Sequence, residues 1–195
     1  MKQFICFTSI IVLAVLGCRK QAIVPVPKPD LGSIDARLNG RAWLNDQTET
    51  VQVTYGFGIE EFRRNNPCAK DWLSLRVGTF SKPDGYRRVS CSFTVPAKPG
   101  EYIIRSNQTR DPCLMLNTGN LLNFSGADGD AALSTYTMYD GVTNRVTITD
   151  YDPAKGLVAG NFTANYVEVS GRNYESLPDT VQVSCNRFVA VAVKD

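Results

Sequence analysis

The chain has 195 residues, 43% of them apolar, and a formal net charge of +2. That length suits one ordinary domain and is short for two; the apolar content excludes a disordered chain, and the small charge excludes the concentrated basic face that nucleic acid requires. Histidine is absent, which removes Ser-His-Asp chemistry and histidine-based zinc or copper sites.

The chain opens with Lys2 and an apolar run from Phe4 to Leu16. This run is short for a membrane span and has the layout of a signal peptide over residues 1–17. Val15-Leu16-Gly17-Cys18 resembles the lipobox of bacterial lipoproteins, although Leu16 is bulkier than the usual residue there. The resemblance implies cleavage before Cys18 and acylation of its thiol. At about 0.8 kcal/mol per buried methylene, two or three acyl chains make a near-permanent anchor. Residues 18–32 carry Pro25, Pro27 and Pro29 at alternate positions, a composition that favours extended polyproline II and prevents helix. This segment is read as a tether.

From Ser33 onward the dominant period is two. Val51, Val53, Tyr55, Phe57 and Ile59 alternate with small or polar residues, as do Leu73, Leu75 and Val77, then Val89, Cys91, Phe93 and Val95, then Val146 and Ile148. Val181, Val183, Cys185, Val189, Val191 and Val193 mark a long closing strand, interrupted at Arg187. Such alternation predicts strands with one buried and one wet face. Asn39-Gly40 predicts a type I′ hairpin, and "SKPDG", "PAKPG", "GADGD" and "DPAKG" separate further strands. Only "IEEFRRNN" offers a helical turn. The expectation is one all-β domain over 33–195, an antiparallel β-sandwich or partly open β-barrel of about ten strands.

"SIDARLNGRAW", "FTVPAKPGEYII", "VTITDYDPAKGLVAGNFTANYV" and "DTVQVSCNRFVAV" together resemble a family of uncharacterised Bacteroidota lipoproteins: an opening N-G-x-x-W hairpin, a P-x-x-x-G-x-Y step and a closing strand containing R-F. The resemblance spans nearly the whole mature chain and implies fold and location, not chemistry. The closing segment departs from the family's usual Gly-Arg-Phe by reading Cys185-Asn186-Arg187-Phe188. In such lipoproteins acids just after the lipidated cysteine direct export to the surface. Arg19 and Lys20 stand there instead, which implies an outer-membrane anchor facing the periplasm, with the cell surface as the alternative. Asp179-Thr180-Val181 matches the O-glycosylation signal of Bacteroidota secreted proteins, which makes Thr180 a candidate glycan site.

With Cys6 in the leader and Cys18 lipidated, Cys68, Cys91, Cys113 and Cys185 remain, an even number in an oxidising compartment. Three pairings are open. Cys68 and Cys113 each follow a proline in a loop, whereas Cys91 and Cys185 lie on apolar strand faces, so like-with-like gives Cys68–Cys113 and Cys91–Cys185. Each bond would stabilise by about 4 kcal/mol on chain-entropy grounds. No C-x-x-C spacing supports zinc or redox chemistry.

Acidic candidates are few. Asp128 and Asp130 resemble a calcium loop without enough further ligands and read as a solvated turn. Asp150 and Asp152 end a strand, and Glu60 and Glu61 have no aligned second acid for glycoside hydrolysis. Trp43, Trp72, Tyr55, Phe57, Tyr86, Tyr102, Tyr136, Tyr139, Tyr151 and Tyr166 are divided between core and exposed surface, where aromatic rings stack on sugars or partners. Tyr136 and Tyr139 fall on opposite strand faces, so at least one is expected to be wet. No catalytic residue, metal or cofactor is assigned. The expectation is a non-catalytic envelope domain that binds a glycan, a small apolar ligand or an envelope protein. A hydrolase with an unidentified carboxylate pair and a lipocalin-like carrier are the alternatives.

Overall fold

The computed structural model describes residues 32–43, 49–56, 72–81, 86–107, 116–125, 132–171 and 177–193. The signal peptide, Cys18 and nearly all of the tether lie outside them, as do "IEEFRRNN", Glu60, Glu61, Cys68, Cys113, Asp128 and Asp130.

The described residues are all-β. In chain order the strands are β1 Ser33–Leu38, β2 Arg41–Trp43, β3 Glu49–Gly56, β4 Trp72–Ser81, β5 Arg87–Pro96 and β6 Gly100–Ser106. After them come β7 Thr118–Gly119, β8 Leu122–Ser125, β9 Ala132–Met138, β10 Asn144–Asp152, β11 Leu157–Gly171 and β12 Thr180–Ala192. All twelve belong to one sheet, in the order β2-β1-β12-β3-β4-β5-β7-β6-β10-β11-β9-β8, with further pairings β12–β11 and β5–β8. The architecture is therefore a single folded-over sheet, neither two separate sheets nor a clean barrel. Most ladders are antiparallel as expected. Two short ones are parallel, β12 with β3 through Val191↔Thr54 and β6 with β7 through Arg105↔Thr118.

The first hairpin is built as Asn39-Gly40 predicts. Both residues have positive φ, 49° and 79°, the combination a type I′ turn demands. Leu38 pairs with Arg41 across it, and Asn39 Oδ1 accepts the Gln182 N–H of β12 at 2.8 Å, locking the turn onto the neighbouring strand.

Period-two alternation decides which side chains enter the core. Val53 and Tyr55, then Leu73, Leu75 and Val77, then Val89, Cys91, Phe93 and Val95 are all buried. The rings of Phe93 and Phe162 approach to 4.9 Å between centroids, and Phe162 meets Phe188 at 6.2 Å.

Two irregularities reverse the alternation. In β12 the pairing shifts between Cys185 and Phe188, where Asn186 and Arg187 are both exposed. Beyond this point Phe188 and Ala190 are buried, whereas Val191 is only half-buried and Val193 is 48% exposed. The expected inward valine row after Arg187 is thus corrected: an extra residue turns it outward. In β5 the partners run Thr79↔Val89 and then Phe80↔Arg87. Arg87, which shares its parity with the buried Val89, ends up on the outer face.

Candidate functional site

A cleft of about 1200 Å³ opens on the outer face of β3, β4 and β5, with the end of β12 and the β10–β11 turn as its far wall. The ladder registers arrange its floor in cross-strand rows. Thr54, Arg76 and Ser92 form one row, and Gln52, Gly78, Ser90 and Asn123 the next. Phe80 stands opposite Arg87 in the third. All of these side chains except Gly78, which has none, are polar or aromatic. Those of β3, β4 and β5 with even numbers point away from the core because odd-numbered neighbours are buried, Asn123 does so between the buried Leu122 and Phe124, and Arg87 does so through the bulge.

Gly78 has a specific use. A Cβ placed there would lie 3.3 Å from both Phe80 Cε2 and the Val89 carbonyl oxygen, so the Phe80 ring leans back over the glycine. The half-buried Phe80 thereby brings an apolar ring edge into the cleft floor beside Gly78. Beside it, the Asn120 amide donates to Ser92 Oγ at 2.8 Å and the Asn107 amide donates to Asn120 Oδ1 at 3.0 Å. This relay orients the amides along one rim.

The charge of the cleft comes from Arg76, Arg87 and Lys155. Lys155 Nζ is held 2.9 Å from Asp152 Oδ2. That contact holds the Asp152 carboxyl below its ordinary range and the lysine above its own. The Asp152 carboxylate also accepts the Lys155 N–H at 3.0 Å, so the pair serves the "DPAKG" turn, as expected for Asp152. Arg76 and Arg87 are exposed and make no ion pair among the described residues. The free positive charge therefore belongs to the two guanidiniums.

The cysteines are placed differently from expectation. Cys91 and Cys185 do face the core, but they are free thiols and the expected bond between them is not formed. The two lie on β5 and β12, strands that are not neighbours in the sheet. Burial pushes each up to about 12, with the other thiol adding slightly for Cys91. The Tyr166 hydroxyl beside Cys91 is also buried and is pushed well above its ordinary value, mainly by burial. Thiols held protonated in this way are packing groups, not nucleophiles.

Tyr55, Tyr136 and Tyr166 fill the core, and Tyr151 packs edge-on against Tyr55 at 6.3 Å. Tyr136 is buried and Tyr139 is 46% exposed, the division expected of that pair. Tyr86 is also exposed, while Trp43, Trp72 and Tyr102 are half-buried. Thr180 stands exposed at the start of β12. None of these aromatics lines the cleft. Its aromatic is Phe80, and the signal for it was the outward glycine two residues before it in "RVGTF".

No protein-family model, no curated protein and no solved structure matches this chain.

Proposed function

We propose that the chain is an exported, lipid-anchored, non-catalytic binding domain of the bacterial cell envelope that takes a polar ligand in the outer-face cleft. The observation that carries this reading is the lining of the cleft: the amides of Gln52, Asn120 and Asn123, the hydroxyls of Ser90 and Ser92, two guanidiniums and the Phe80 ring. These groups recognise by hydrogen bonding and stacking, and the described lining carries no carboxylate or imidazole, the side chains that most often serve as general acid or base. A cleft of this size is at or above the upper end of ordinary small-molecule sites and suits an extended ligand. Acylation of Cys18 with the proline-rich segment after it would hold the domain at the outer membrane, facing the periplasm. Thr180, exposed on β12, is open to glycosylation.

Two experiments test this reading. Ser90 lies on the cleft floor and away from the core, so Ser90→Trp fills the site and shifts stability by no more than about 0.5 kcal/mol. Full-length protein in detergent is screened by calorimetry against oligosaccharides, amino acids and short peptides. Binding that Ser90→Trp abolishes is the expected result, and binding that it leaves intact refutes the cleft. For the anchor, Cys18→Ala is expected to move the protein from the membrane to the soluble fraction, and continued membrane association would overturn lipidation.

A further inference from the structure

Resting on the cleft as the binding site, we infer that its ligand is an acidic oligosaccharide, with a sugar ring on Phe80 and carboxylate or sulfate groups at Arg76 and Arg87. The stacking half of the inference comes from the Gly78–Phe80 arrangement. The half-buried Phe80 reaches back over Gly78, which pairs with Gln52 on one side and Ser90 on the other, so an apolar ring is bordered by hydrogen-bonding groups. A pyranose has that same division, with C–H groups on its faces and hydroxyls around its edge. An aliphatic ligand would leave the surrounding amides and hydroxyls unpaired on binding, at a cost, and an inorganic anion would not use the ring.

The acidic half comes from charge. Arg76 and Phe80 are four residues apart on β4, so their positions are separated by about 13 Å at the usual rise of a strand. Arg87 faces Phe80 from β5. The two arginines thus stand at opposite ends of this stretch of the cleft, whose length suits several linked sugars better than one. Lys155 is already engaged by Asp152, so the two arginines are the cationic groups left for a ligand. A guanidinium takes a carboxylate or sulfate through two parallel N–H donors, which gives direction as well as attraction. The bulge in β5 supports the same assignment, since it turns Arg87 from the core face to the cleft.

The test uses the full chain in detergent and titrates an oligouronide, a sulfated oligosaccharide and the carboxyl-reduced neutral counterpart of the oligouronide. The acidic ligands are expected to bind at least tenfold tighter than the neutral one. Arg76→Gln or Arg87→Gln is expected to remove about tenfold of that preference, and Phe80→Leu to weaken acidic and neutral ligands alike. Arg187→Gln removes an exposed arginine outside the cleft and controls for net charge. A preference for the oligouronide over the sulfated ligand, or the reverse, names the acid group. Equal affinity for acidic and neutral sugars, or arginine variants that match the parent, overturns the acidic ligand and leaves the cleft intact. Amino acids or peptides that bind and are displaced by Ser90→Trp, while no sugar binds, overturn the saccharide but not the cleft. Failure of every ligand, with Ser90→Trp indistinguishable from the parent, overturns both.

Discussion

Replacing Gly160 by alanine tests how tightly the sheet is closed over its core. Gly160 is buried in β11, paired with Ile148 on one side and Phe188 on the other. A Cβ there would sit 2.0 Å from the Thr147 carbonyl oxygen, 2.9 Å from Phe188 Cζ and 3.1 Å from Phe188 Cε1. A carbon and a carbonyl oxygen normally stop at about 3.3 Å, so β10 must move away from β11 by roughly 1 Å or the Phe188 ring must leave its place. The oxygen is backbone and ring movement alone does not relieve it. Overpacking of this kind costs about 1–3 kcal/mol, and a weakened ladder hydrogen bond adds about 1 kcal/mol. The expected loss is about 3 kcal/mol, a large part of the 5–15 kcal/mol that holds a typical domain. It lowers the melting temperature by roughly 6–12 °C for a chain of this length. The assay is a thermal melt followed by circular dichroism, with urea midpoints on the same samples. Gly56→Ala is the control, because a Cβ at Gly56 meets nothing within 4 Å among the described residues; it is expected to stay within about 0.5 kcal/mol of the parent. A Gly160→Ala protein that melts within about 2 °C of the parent, or a control that falls as far, refutes the packing argument.

The thiols make a pH prediction. Their folded values of about 12 lie above the ordinary 9.0, so between about pH 9 and 12 the unfolded chain binds fewer protons than the folded one. Stability is then fully present below pH 9 and falls as pH rises, by up to about 1.4 kcal/mol per unit for Cys91 and less for Cys185. Cys91→Ala/Cys185→Ala is expected to flatten the fall in urea midpoint between pH 9 and 11, and parallel slopes would count against buried free thiols. Asn39→Ala is expected to cost about 1–2 kcal/mol, since alanine tolerates the positive φ poorly and loses the acceptor for Gln182 N–H. Asn39→Gly restores the turn but not the hydrogen bond and is expected to fall between the two; a glycine variant no better than alanine would show that the turn conformation is not what Asn39 supplies.

Local pattern determined a good deal of this protein. The alternation from Val89 to Val95 is enough to make β5 a strand with one buried face, because successive side chains on an extended chain must point to opposite sides. Asn39-Gly40 is enough to make the first turn, because few other pairs accept two positive φ values. The inward direction of Cys91 and Cys185 followed from the same parity. Whether the two bonded did not, since parity along a strand carries no information on the distance between strands. The candidate site was hidden for a related reason. An extra residue at Arg88 in β5, and another at Asn186–Arg187 in β12, shifts the pairing by one and exchanges the two faces of everything beyond it. Arg87 stands on the cleft side although it shares parity with the buried Val89, Val191 and Val193 pass from the expected core row to the cleft wall, and Phe188 and Ala190 take their place inside. Parity along a single strand carries no record of such a shift, because a bulge exists only relative to the neighbouring strand. That relation, and with it the surface offered to a ligand, is settled only when the sheet has assembled.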